Sequence, residues 1–166
     1  KFDINKWRGP INEPHDFVSD KIKIEVKSGV GLDQSSIFSV NGVLQLTVEE
    51  NENLYIYRIT LSEGEGETVF QLIEKIISLG INRNEFYNHI SAQFPIDKIR
   101  KSKTLFMFDE HKIYKVNEGF PKIIEASFES DILPTGTSNV RYDVDLNYAE
   151  DSIISDMEFT DILKMF

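Results

Sequence analysis

"EPHDFVSDKIKIEVKS", residues 13–28, carries the pattern on which the reading of this chain turns. Ile22, Ile24 and Val26 alternate with Lys21, Lys23, Glu25 and Lys27, the period-two signature of a strand with one packed face. "HDFV" reads as a preceding strand, with Ser19 and Asp20 as a short polar turn between the two. A two-residue hairpin there sets Val18 opposite Lys21, Phe17 opposite Ile22 and Asp16 opposite Lys23. Phe17, Ile22, Ile24 and Val26 then face the core, and Asp16, Glu25 and Lys27 share the other face, diagonal neighbours being roughly 7–8 Å apart.

Two carboxylates at that separation can hold a hard divalent cation such as Mg²⁺, with Mn²⁺ as a substitute, and the backbone carbonyl of Val26 offers a third oxygen. Lys27 beside them would orient an attacking water and stabilise negative charge developing on a phosphodiester. The competing account is an ordinary charged strand face, with Asp16 and Lys23 as a cross-strand ion pair.

The chain has 166 residues, enough to bury a core without staples, and 1–166 is expected to be a single domain. It contains no cysteine, which removes disulfides, zinc–thiolate sites, thiol nucleophiles and iron–sulfur clusters together. No apolar run is long enough to cross a bilayer and no signal-peptide pattern opens the chain, so a cytoplasmic protein with no membrane role is expected. The opening residue, Lys1, suggests the C-terminal portion of a longer protein.

A net charge of -10 argues against nucleic acid as a partner, but its distribution does not. Residues 1–30 hold six Lys/Arg against five Asp/Glu, whereas residues 142–163 hold seven Asp/Glu and no Lys or Arg. A basic face can coexist with an acidic tail.

Further strands are expected at "SSIFSV", "NLYIYRITL" and "NVRYDVDL", and "TLFMFDEHKIYKV" is expected to split at Asp109–Glu110 into two. "NGVLQL" reads as a turn or a single helical turn. Val69, Leu72, Ile73, Ile76, Ile77 and Leu79 fall at helical spacing before Gly80, a second helix is expected over 84–93, and "MEFTDILKMF" closes the chain as a short amphipathic helix. Strands, then helices, then strands give a mixed α/β or α+β sheet domain.

"WRGPINEPHDFVSDKIKIEVKS" resembles the signature of the DUF4420 family of the PD-(D/E)xK nuclease superfamily, in which a Trp–Arg–Gly motif precedes "PHDF" and "IEVK". Those residues here are Trp7, Arg8, Gly9, Pro14, His15, Asp16, Phe17, Ile24, Glu25, Val26 and Lys27. "LQL" around Gln45 and "LPTGTSNVRYDVDL" at 133–146 extend the resemblance along the chain in order. It implies a restriction-endonuclease-like core, with Asp16 and Glu25 as metal-binding carboxylates and Lys27 as the catalytic lysine. The implied activity is Mg²⁺-dependent cleavage of DNA in bacterial restriction or phage defence, beside other defence-system proteins, with a homodimer as a candidate assembly. His15 between Pro14 and Asp16 departs from the superfamily's "PD" but suits this family. The helix that usually precedes such a core is expected to be missing from these residues. The alternative is a catalytically inactive nuclease-fold module used for binding or assembly in a defence complex.

Parity puts His15 on the core side with Ile24, buried and hydrogen-bonded, while His89 and His111 are expected at the surface. Trp7 is expected to close the core more than to stack on a base, and Arg8 either to close it or to touch a phosphate. Gln45 could lie near the metal or cap the turn. Arg141 is expected to pair with Asp143 or a neighbouring acidic residue, and Lys98, Arg100, Lys101 and Lys103 to form a solvated loop or a phosphate-tracking patch.

Overall fold

The alternating stretch forms strand β2 (Ile22–Val30) in a computed structural model that describes residues 3–11, 13–30, 36–91 and 93–166. β1 (Phe17–Val18) pairs with it antiparallel, with Phe17 opposite Ile24 and Val18 opposite Lys23. The predicted register is therefore displaced by two residues. The connection is the four-residue turn Ser19–Ile22, closed by Ser19 N–H to the Ile22 carbonyl at 2.9 Å, not a two-residue turn. An even displacement keeps every side chain on its predicted face.

β2 then runs parallel to β4 (Asn53–Thr68), which pairs antiparallel with β5 (Leu105–Lys115), and β5 with β7 (Ile153–Ile154). The result is a five-stranded mixed sheet in the order β1-β2-β4-β5-β7. The protein is an α+β fold, as expected. β5 does not divide at Asp109–Glu110. Thr60 pairs with Glu110 and Leu61 with Phe108, so Asp109 is the extra residue of a bulge that lets one strand continue. β3 (Ile37–Asn41) pairs antiparallel with β6 (Arg141–Asp145) in a separate two-stranded sheet. The first residue of the predicted β3 segment, Ser35, lies outside the described residues, as does Ala92 near the end of the second predicted helix.

Both faces of the large sheet are covered. On one, Ile22, Ile24, Tyr55 and Ile113 pack against Phe159 and Ile162 of α4 (Asp156–Met165), which starts where Ser155 Oγ accepts the Glu158 N–H at 3.2 Å. On the other, Leu54, Ile56 and Tyr114 pack against Phe38 and Val40 of β3, Val144 of β6 and Leu46 of the 3₁₀ turn Val43–Leu46.

A third cluster joins Ile4 and Trp7 to Ile73 of α1 (Val69–Ser78) and to Phe86 and Ile90 of α2 (Arg83–Ser91). α1 begins in a capping box, Thr68 Oγ1 accepting the Gln71 N–H while Gln71 Oε1 accepts the Thr68 N–H, and Gly80 at φ 96° ends it as predicted. The expected loop at 96–103 is instead a helical turn, α3 (Ile96–Lys101), because Pro95 presets its start and Ile96 and Ile99 pack on the third cluster. No helix among the described residues is long and apolar enough to cross a membrane.

Candidate active site

Parallel strands covered on both faces ordinarily read as unbroken apolar runs. β2 breaks that rule, because Glu25 and Lys27 point into the layer under β3 and β6, opposite Ile56 and Arg58 of β4. The charged face predicted to meet solvent is therefore inside. Glu25 is 6% exposed and the Lys27 side chain 15%. Lys27 Nζ lies 2.8 Å from Glu25 Oε1 and 5.5 Å from the centre of the Phe38 ring. Gln45 Nε2 donates to the same Glu25 oxygen at 2.8 Å.

Asp16 stands just before β1, beside these groups. Its Oδ2 accepts the Val26 N–H at 2.8 Å. An extended residue directs its N–H and C=O to the same side, so the Val26 carbonyl also faces the Asp16 edge. The ion pair between Asp16 and Lys23 does not form. Lys23 pairs with Glu52 at 2.5 Å, and Asp16 is left to the β2 backbone.

The Trp–Arg–Gly segment fixes Asp16 from above. Arg8 and Gly9 N–H both donate to its backbone carbonyl, at 2.6 and 3.1 Å. A Cβ on Gly9 would lie 2.5 Å from Asp16 Oδ1, so this close approach requires glycine. Trp7 packs against Phe17, Phe86 and His89, closing the third core cluster. Arg8 reaches Glu13 at 3.7 Å, and its Nε is buried with no hydrogen-bond partner among the described residues.

Burial pushes the Glu25 carboxyl above its ordinary value, Lys27 pulls it down, and Asp16 adds to the upward push. His15 is buried as expected but does not sit with Ile24. It precedes the two-residue β1, so strand parity does not bind it, and its Nε2 meets the Gln45 carbonyl at 3.1 Å. Burial holds it below the usual imidazole value against that hydrogen bond, with Lys23, Glu52 and Asp16 as its charged neighbours. The ring is therefore neutral at pH 7.

The residues fit a hard divalent cation by the chemistry of the donor set, which is two carboxylates and one carbonyl, all oxygen. Among the described residues no group of three or more His, Cys, Asp or Glu is placed to hold a metal ion. Water and substrate would have to complete the coordination of a Mg²⁺ held by Asp16, Glu25 and Val26. A cavity of about 730 Å³ between the 3₁₀ turn and the start of β6 reaches this centre through Pro14 and Gln45, and not through Asp16, Glu25 or Lys27.

Gln45 is the residue that the sequence reading left open. It ties Glu25 to the end of β3, its Oε1 accepting the Asn41 N–H at 3.0 Å, and the "LQL" patch was the only signal for it. Arg141 lines the large cavity and makes no ion pair with Asp143, which accepts from Ser39 Oγ at 2.7 Å instead. His89 is half-buried, its Nε2 meeting the Trp7 carbonyl at 2.5 Å, and His111, also half-buried, pairs with Asp156 at 2.9 Å on the far side of the sheet. On α3, Arg100 stacks on Phe70 and Tyr87.

A family model described as "Putative PD-(D/E)XK family member, (DUF4420)" matches residues 2–147, a span that holds Asp16, Glu25, Val26, Lys27 and Gln45. No curated protein and no solved structure matches the chain.

Proposed function

The chain belongs to the DUF4420 family, and from that premise we propose that it is a metal-dependent endonuclease hydrolysing phosphodiester bonds in DNA. The observation that carries this reading is the Glu25–Lys27 pair buried between two sheets with a second carboxylate, Asp16, one strand away. As a structural element the pair is poor value, since apolar residues of similar volume at such a position are often as stable or more so. A charge arrangement that costs stability where packing would serve is what a reactive site looks like.

Asp16, Glu25 and the Val26 carbonyl would hold Mg²⁺ or Mn²⁺, which when bound supplies Lewis-acid neutralisation of phosphate charge. Lys27 directs its ammonium to the same place, where it can hydrogen-bond a phosphate oxygen or orient the attacking water. Gln45 holds the Glu25 carboxylate in place, and Gly9 leaves room for Asp16. The family resemblance further implies a setting in bacterial restriction or phage defence.

The competing reading is a nuclease-fold module without chemistry, and the enclosure of Glu25 beneath β3 favours it. Plasmid nicking in Mg²⁺ or Mn²⁺ separates the two. Wild-type protein is expected to convert supercoiled to open-circular or linear DNA, with Asp16→Asn and Lys27→Met at least 100-fold slower. Equal rates in all three, or no cleavage by any, would leave the module.

A further inference from the structure

The geometry points to a phosphate subsite beside the candidate centre, formed by Arg58 and Lys112 and taking a backbone phosphate of the nucleic acid next to the one held at Lys27. This rests on the nuclease reading for its substrate, but its residues are outside the proposed metal site.

Sheet register supplies the observation. Lys27 of β2 is opposite Arg58 of β4, and Arg58 is opposite Lys112 of β5, so three cations stand in one row across three adjacent strands. All three are on the Glu25 face, and with neighbouring strands about 4.8 Å apart the row is about 10 Å long. Like charges directly opposed across strands destabilise a sheet. Glu25 already offsets Lys27 at 2.8 Å, so it is at the Lys112 end of the row that a bound anion would lower the repulsion between opposed cations.

Two further features fit the same ligand. A Cβ on residue 29 would fall 2.5 Å from Arg58 Nη2, so Gly29 is what lets the guanidinium lie against β2, on the same face as Lys27 and two residues beyond it. Beside the row a cavity of about 150 Å³ opens between the two sheets, with Arg58 and Lys112 on one wall and Ser36 and Asn147, side-chain hydrogen-bonded to each other at 2.9 Å, on the other. Lys112 is exposed, and its ammonium has no hydrogen-bond or ion-pair partner among the described residues. The carboxylates of Glu110 and Glu150 also line the cavity. Glu110 faces Thr60, two residue pairs beyond Arg58 and Lys112 and the next pair on the same face. It therefore repels a phosphate continuing along the strands and leaves the path across them.

The test is fluorescence anisotropy of a labelled DNA duplex in EDTA, titrated with the full chain at several salt concentrations, alongside plasmid nicking in Mg²⁺. Losing one phosphate contact lowers the slope of log K against log salt by about 0.9, so between about 50 and 200 mM salt Lys112→Gln should lose roughly 3.5-fold less affinity than wild type. Arg58→Gln should act likewise, Glu110→Gln should tighten binding, and Lys164→Gln, on α4 across the sheet, should change nothing. Lys112 and Glu110 are exposed, so their opposite effects decide the matter even if Arg58→Gln fails to fold. Wild-type slope and affinity in both Lys112→Gln and Glu110→Gln, or no duplex binding by the wild type, overturns the subsite. Cleavage that persists while those variants bind normally defeats the subsite and keeps the nuclease, whereas Lys112-dependent binding without cleavage by the wild type does the reverse.

Discussion

Glu25 and Lys27 form one ion pair, yet removing either member should not have the same effect. Burial outweighs Lys27 in setting the Glu25 carboxyl, which titrates above its ordinary value of 4.5. Its penalty is absent below that value, where both folded and unfolded states are neutral, and is fully present once pH exceeds the raised folded value. At pH 7.5 in EDTA, Glu25→Gln is therefore expected to melt no lower than wild type. Lys27→Met leaves the buried carboxylate without its cation and should cost about 3 kcal/mol, a fall in Tm of about 6–12 °C. Part of that loss should return as the pH is lowered and Glu25 takes up a proton. Thermal melts across pH check this, and a large destabilisation in Glu25→Gln would mean that the ion pair outweighs desolvation. The faces of these side chains were legible in the sequence because alternation survives an even slip in register. Their burial was not, because the covering layer exists only once β3 pairs with β6, about a hundred positions further along the chain.

At the scale of elements, the candidate centre depends on a short segment laid over a strand end. Arg8 and Gly9 hold the Asp16 backbone while its side chain reaches the Val26 N–H, and only a residue without Cβ fits above Oδ1. Gly9→Ala should push the carboxylate off Val26, lowering cleavage at least 10-fold while the far-UV spectrum stays native and Tm falls by no more than a few degrees. Unchanged cleavage would show that the Trp–Arg–Gly segment does not position Asp16. Strands β2 and β4 and helix α1 were readable from periodicity, capping and the glycine stop. α3 was missed because its six residues are too short to show a helical period, and β5 was divided because the polar pair Asp109–Glu110 reads as a turn, where a bulge lets the strand continue. His15 was assigned to the wrong side because strand parity was carried past the end of a two-residue strand.

Over the whole molecule, α4 and β7 lie beyond the family match and pack on or beside the apolar face, while the matched segments build the layer around Glu25. The chain carries a net charge of -10, yet its Lys27–Arg58–Lys112 row crosses the middle of the sheet, a feature visible only once register is known. Strong negative charge elsewhere raises the general affinity for cations, so specific metal binding has to be separated from diffuse attraction by point variants. Isothermal titration of the full chain with Mn²⁺ at about 0.15 M salt does this most directly. We expect one saturable ion per chain, lost in both Asp16→Asn and Glu25→Gln and retained in Glu110→Gln. No saturable binding, or the same isotherm in all four proteins, would contradict a shared metal centre at Asp16 and Glu25.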